Sequence, residues 1–336
     1  MRKVSFNLFV LLVIFVFAFQ PSAPAWAWTD TGHKIVAMIA FDELTPKTKS
    51  LIMDTLRQHA RYEKDLAAFA PEGATGEVLD RHVFATAATW PDMVRSQDNP
   101  MHAVYNHPQW HYIDIPFLAD GTPPPPDNNA DGPGPHNIVE ALTKNTADLK
   151  SNDVSPAEKA VSICWILHLV GDIHQPLHAA SMISKDFPDG DRGGNSLTVL
   201  RDPPYPNSRT NLHLLWDQLP GQFKSETFEG YEAFGVRNDP RFSRENLKDA
   251  LAVTDFMAWA KESHDLAVQY AYLNGKLEYA ATSDQRGQNA RDPGQRDSTP
   301  GVPPGYIANA EEVVARQLAL AGHRLADLLN STCDPK

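Results

Sequence analysis

Residues 163–170 form an apolar run that only a buried segment tolerates; His168 interrupts it, and Asp172 follows two residues past its end. Apolar residues recur at helical spacing over 156–173, which predicts a helix. Residues four apart on a helix lie one turn up on the same face, so His168 and Asp172 point the same way. A buried imidazole needs a polar partner, and a buried carboxylate needs one more urgently. The chain must therefore fold so that other polar side chains converge on that face.

The spacing recurs elsewhere. His213-Leu-Leu-Trp-Asp217 repeats His-x3-Asp, and Gln175-Pro176-Leu177-His178 follows Asp172. Trp90-Pro91-Asp92 and Trp110-His111-Tyr112-Ile113-Asp114 add a further aspartate and a further histidine. One such pair on a helix is ordinarily a surface hydrogen bond; two, one of them in a buried run, point to a metal. The two cysteines, Cys164 and Cys333, are too few for a thiolate zinc site, so any ion must use imidazole and carboxylate. Carboxylate-rich sites with open positions are what catalytic zinc uses, whereas structural zinc is closed and usually Cys-rich. His174 and His178 are themselves four apart, and the helical wheel leaves open which of them faces the site. Pro176 ends or kinks the helix there. His59, His82, His102, His107, His136, His264 and His323 lack ligand-spaced partners, and Trp165 and Trp259 read as helix core.

Residues 1–27 read as a secretory signal: Arg2 and Lys3, an apolar stretch over 8–19, then Ala25-Trp26-Ala27 with small residues at the last and third-last positions. Cleavage after Ala27 leaves Trp28 as the mature N-terminus, followed by Thr29-Asp30-Thr31-Gly32-His33. A free amino group beside its own carbonyl oxygen can chelate a metal in a five-membered ring, and His33 adds an imidazole one turn further on. The signal's run is too short for a comfortable membrane span, and no later run approaches the ~20 residues a span needs. The expectation is a secreted or periplasmic protein with no span in its mature chain. Removing the signal's two cations takes the net charge from −12 to −14. That argues against a basic groove gripping nucleic acid, with less force if several acids hold cations. Export permits a Cys164–Cys333 disulfide; the alternative is a buried free thiol at Cys164. Asn330-Ser331-Thr332 fits a glycosylation sequon.

Helical patterns cover 31–44, 46–58, 78–89, 136–149, 156–173, 208–218, 250–275 and 308–329. Ser155-Pro156-Ala157-Glu158 looks like a helix start and Asn274-Gly275 like a stop. Residues 119–135, 183–206 and 282–304 read as loops, the second around a β-like piece at 196–200 that suits a small hairpin. No repeat and no composition break divides the chain. The predicted fold is mostly α: a single compact multi-helix domain over 28–336 with a metal cluster in a cleft.

Together these residues carry a resemblance. Trp28…His33, Trp90-Pro91-Asp92, His111-Tyr112-Ile113-Asp114, His168-x3-Asp172-x5-His178, Gly193-Gly194-Asn195 and His213-x3-Asp217 look like the secreted tri-zinc, single-strand-specific nucleases of fungi and plants. Bacterial relatives exist, many members are also 3′-nucleotidases, and the wider superfamily includes zinc-dependent phospholipases C. The motifs run from Trp28 to Asp217 in the family's order; the last third shows only helical character. The resemblance implies three Zn2+ per chain. Asp92, His111 and His168 would hold one; Trp28, through amine and carbonyl, and His33 its neighbour; Asp172 would bridge the two. His178, His213 and Asp217 would hold the third, which selects His178 over His174. Tyr112 and Asp114 match a base platform and a base-reading carboxylate, Asn195 a substrate-side asparagine, and Arg95 a basic residue near the phosphate. The stretch 179–192 and the Pro-rich loop 119–135 look long for the family.

The chemistry suits these residues. Carboxylate-bridged Zn2+ ions lower the pKa of a shared water from ~15.7 towards ~7, which fits the lack of an obvious Ser/His/Asp or Cys/His nucleophile. The expected protein is a zinc-dependent phosphodiesterase cleaving single-stranded DNA and RNA to 5′-phosphorylated products, with 3′-nucleotides as further substrates and no stable protein partner implied. Two other functions use the same residue types. A zinc phospholipase C would need an apolar entrance for acyl chains and have no use for Asp114. A non-catalytic exported zinc-binding protein would hold zinc and hydrolyse nothing.

Overall fold

The computed structural model describes residues 28–119, 134–201, 209–220, 236, 239–281 and 299–334. The signal segment 1–27 lies outside them, as do the larger parts of the loops expected at 119–135 and 282–304 and residues 202–208.

Helix α1 (Asp30–Glu43) and α2 (Pro46–Leu56) open the fold, and the Thr45 hydroxyl caps α2 by accepting the Thr48 N–H. Helix α3 (Gly76–Ala87) leads into the single turn α4 (Trp90–Met93) and then α5 (His102–Tyr105). Strand β1 (Pro116–Leu118) is followed by α6 (Ile138–Lys150), capped by Asn137, and α7 (Pro156–Asp172). Ser155 caps α7 and Pro156 opens it, since proline's missing N–H costs nothing in a first turn. Strands β2 (Ser181–Ile183), β3 (Leu197–Leu200) and β4 (Arg209–Asn211) precede α8 (Leu212–Asp217). The chain continues through α9 (Lys248–Leu251), α10 (Phe256–Leu266), β5 (Ala280–Ala281) and the 28-residue α11 (Tyr306–Cys333).

The result is a mostly helical single domain. Helix α7 runs through the core, buried at every position from Ala160 to Asp172, with α1, α2, α6 and α11 packed around it. Helices α1 and α11 approach closely because position 322 is glycine: a Cβ there would fall 2.5 Å from Ile39 Cβ. Among the described residues, no helix is long and apolar enough to cross a membrane.

Two of the expected helices are corrected. Residues 209–211 are a strand: Thr210 pairs with Val199, and the Asn211 side chain accepts the Leu214 N–H, so the helix cannot start earlier than Leu212. The pattern over 250–275 is not one helix. Val253 and Thr254 fall in a break that Asp255 closes by capping α10, and a π-turn (Ala267–Ala271) follows before positive φ at Leu273, Asn274 and Gly275. The β-like piece is strand β3, in a three-stranded antiparallel sheet ordered β4-β3-β5. Strands β1 and β2 form a separate parallel ribbon.

The disulfide alternative is also corrected: Cys164 is buried in the core and Cys333 half-buried, and both are free thiols. Burial lifts the Cys333 thiol to about 11 and that of Cys164 still further, which favours the protonated thiol in both. The sequon asparagine is occupied. Asn330 accepts the Thr45 N–H and donates its own Nδ2 to Glu43 O, tying α11 to the α1–α2 corner.

Candidate metal centre

Four helices and the parallel ribbon bring the buried polar residues together. Helix α7 carries His168 and Asp172 one turn apart, as their spacing requires. Helix α8 does the same for His213 and Asp217. The parallel ribbon sets the rest: Ile113 N–H donates to His178 O and Ser181 N–H to Ile115 O, which lays His111 beside His178. Asp92 sits on α4, and His33 reaches in from α1.

The side chains form three groups with ligand atoms close enough to hold one ion each: His33, His168 and Asp172; Asp92, His111 and His168; His178, His213 and Asp217. Asp172 Oδ1 lies 3.4 Å from His33 Nε2, while its Oδ2 lies 3.0 Å from His111 Nδ1 and 3.1 Å from His168 Nε2. Its two oxygens therefore face two groups. His213 Nε2 lies 3.5 Å from Asp217 Oδ2, and His178 Nε2 lies 3.8 Å from Asp217 Oδ1. Two ligands about 2.0 Å from one tetrahedral ion are roughly 3.3 Å apart, so these are the separations of a coordination shell.

The orientation of the rings fits a cation. His168 Nδ1 donates to Ala88 O, His178 Nδ1 to His111 O and His213 Nδ1 to Gly193 O, at 2.7 or 2.8 Å. A carbonyl only accepts, so each Nδ1 carries the proton and turns Nε2 inward, as in proteins whose histidines bind metal. His33 Nε2, His111 Nε2, His178 Nε2, Asp172 Oδ1 and Asp217 Oδ2 are buried without a hydrogen bond. Buried polar atoms are normally satisfied, and orphaned imidazole nitrogens and carboxylate oxygens gathered in one place fit a bound cation.

In the absence of an ion the buried groups set one another's protonation. Burial alone would raise the Asp172 carboxyl, but His168 and then His178 outweigh it and hold it well below the usual range. Burial alone would lower His168, but Asp172 and Asp92 push it up to about 9. Asp217 is raised well above the usual range by burial, against the hydrogen bond from Gln175. His111 is lowered to about 4, chiefly by burial. His, His and carboxylate without thiolate suits Zn2+.

The remaining residues divide clearly. Trp28 is buried; its indole donates to Gly171 O at 2.9 Å, anchoring it one residue from Asp172. Arg95 Nη1 pairs with Asp92 Oδ1 at 3.1 Å. Tyr112 is half-buried, and Asp114 is exposed yet ringed by protein that lifts its carboxyl to about 6, against the field of Arg192. Asn195 Nδ2 donates to Arg192 O at 2.8 Å, so it shapes its own turn. His174 lies apart: Nδ1 bonds Val170 O, and Nε2 accepts from Arg324 beside Trp259. His323 binds Glu43, and His107 stacks on Trp110.

Two residues escaped the sequence reading. Gln175 donates to Asp217 Oδ1, and its position between Asp172 and His178 was the available signal. Arg192, held at φ 61 beside two positive-φ glycines, sends its field onto Tyr112 and Asp114; in the sequence it is one cation in a loop.

A helical domain whose central helix carries buried His and Asp side chains into two of the three groups has the donor set of a metal-binding protein. The model of the S1/P1 nuclease family matches residues 28–334. The chain belongs to that family, and with it to the hydrolytic nucleases. Endonuclease 3 of Arabidopsis thaliana is 26% identical over 333 residues, covering 91% of this chain and 89% of that protein. Nuclease S1 of Aspergillus oryzae is 22% identical over 91% of each chain, and Endonuclease 2 of Arabidopsis thaliana 23% over 96% of each.

Proposed function

We propose that this protein is an exported, zinc-dependent nuclease that cleaves single-stranded DNA and RNA to 5′-phosphorylated products and also hydrolyses 3′-nucleotides. The observation that carries the reading is Asp172, whose two oxygens face two different groups of histidines in a buried cluster. In this reading Asp92, His111 and His168 hold one Zn2+; His33 and the Trp28 amine and carbonyl hold a second; Asp172 serves both. His178, His213 and Asp217 hold the third. Bound zinc would supply an acidified water and stabilise the departing 3′-oxygen, which removes the need for a protein general acid.

The chain's own residues do the rest. Arg95, paired with Asp92, would turn its remaining N–H groups to a phosphate oxygen. Tyr112 offers a stacking face, and the Asp114 carboxyl accepts hydrogen bonds from a base edge. Asn195 and its turn stand on the substrate side. Single-strand preference follows from access, because a paired base cannot reach Tyr112 without leaving its stack. The family match begins at Trp28, which supports cleavage after Ala27 and a free amine at the cluster.

The test is to assay the mature protein on single-stranded DNA, a 3′-nucleotide and a phosphatidylcholine emulsion, with and without chelator, alongside its zinc content. The expected result is hydrolysis of the first two, abolished by chelator, with three zinc per chain. Phosphatidylcholine cleavage in preference to DNA supports the phospholipase instead. Zinc binding without any hydrolysis reduces the protein to a zinc carrier.

A further inference from the structure

Gln175 is fully buried and follows Asp172 at the point where α7 ends and the short 3-10 turn Pro176–His178 begins. Both ends of its amide are committed. Oε1 accepts the Leu177 N–H at 2.5 Å, which leaves the NH2 to point the other way. That NH2 donates to Asp217 Oδ1 at 2.7 Å. A flipped amide would set oxygen against oxygen at Asp217 and strand the Leu177 N–H, so the orientation is fixed. Asp217 Oδ2 takes no hydrogen bond and faces His213 Nε2 at 3.5 Å.

We propose that Gln175 is a positioning residue for the metal group of His178, His213 and Asp217. By filling Oδ1 of Asp217 it leaves Oδ2 as the oxygen offered to the ion and fixes the plane of the carboxylate. The inference rests on the metal reading above and deepens it. It also gives the last third of the chain a role. Ser263 Oγ donates to Ile173 O at 2.6 Å, Gln317 Nε2 to His174 O at 3.2 Å, and Arg324 to His174 Nε2 at 2.8 Å. Helices α10 and α11 thus grip the turn 173–175 from behind, and the grip passes to Asp217 through one amide.

The experiment compares the full mature protein with Gln175→Met and Gln175→Glu. Folding of the metal-free proteins is read by circular dichroism and melting, zinc stoichiometry against graded chelator by mass spectrometry, and the coordination sphere from the absorption of Co2+-loaded protein. Partners one shell beyond a metal ligand typically change its affinity 10–100-fold. Gln175→Met should keep its metal-free fold and release one zinc at a chelator concentration lower by about that factor, with two retained. Gln175→Glu has the same shape but turns an oxygen on Asp217; it should release that zinc still more readily and alter the Co2+ spectrum. Gln175→Met holding all three zinc ions as tightly as the wild type would mean that Asp217 does not need the amide donor, and overturns the proposal. So would loss of the metal-free fold in either variant, or even loss of all three ions. A wild-type protein that binds no zinc overturns the metal reading itself, which the same measurement detects separately.

Discussion

The metal cluster and the rim above it are built in opposite ways. In the cluster, His33, His168, Asp172 and Asp217 are wholly buried, and three rings are locked by a backbone carbonyl. At the rim, Tyr112 and Asn195 are half-buried, Asp114 and Arg192 are exposed, and their elements are extended segments and turns. The cluster cannot tolerate an unpaired charge, so its geometry is over-determined. The rim is solvated, so each residue can change with little consequence for its neighbours. On this account ligand changes should be severe and shared, and rim changes mild and separable.

Asp172→Asn is the strongest way to break that contrast. It preserves shape and removes the charge that serves two groups, so activity should fall by more than the roughly 100-fold that outer partners cost. Metal analysis should show up to two zinc missing per chain. His174→Ala, two residues away but turned toward Arg324, should cost stability and leave in place the two zinc served by Asp172. Equal zinc loss in both variants would dissolve the distinction along this segment.

An extra residue ahead of Trp28 should have the next largest effect. It converts an amine into an amide, a far poorer ligand, while the indole keeps its bond to Gly171 O. Activity should drop sharply in a protein whose circular dichroism is unchanged and whose extension is verified by mass spectrometry. Full activity in that protein would remove Trp28 from the cluster.

Gly171→Ala probes how tightly the cluster is packed. Alanine ordinarily favours a helix over glycine by ~1 kcal/mol. Here its Cβ would fall 2.7 Å from His33 Nδ1, and overpacking of that kind costs ~1–3 kcal/mol. The clash should win: lower thermal stability, with His33 pushed aside and weaker zinc retention. A more stable protein with unchanged zinc would show that His33 has room to move.

The rim variants should be mildest. Tyr112→Ala should cost ~1–3 kcal/mol in use of single-stranded DNA, the worth of one stacked base, and Asp114→Ala should weaken it through the loss of a hydrogen bond to the base edge. Zinc content and hydrolysis of bis(4-nitrophenyl) phosphate should stay close to wild type. Parallel loss of both activities would make these residues supports of the cluster and erase the boundary between cluster and rim.

Much of this was legible in the chain itself. His-x3-Asp on an apolar helix, twice, forces a buried polar focus because helical periodicity leaves no other face for those side chains. Caps at Ser155 and the stop at Asn274-Gly275 are local chemistry, and local chemistry reads directly from sequence. What failed was also local in appearance. Residues 209–211 look helical until Val199 is there to pair with them, and 250–275 reads as one helix until Asp255 caps a new one. The helical wheel left His174 and His178 open and the resemblance selected His178; only the tertiary fold shows the reason, since Arg324, 150 positions on, claims His174. Only the fold set Gln175 against Asp217 and Arg192 toward Asp114. The residue types and their spacing determined that buried histidines and carboxylates must meet. Which oxygen each one offers, and to which neighbour, depends on long-range contacts whose partners no local pattern names.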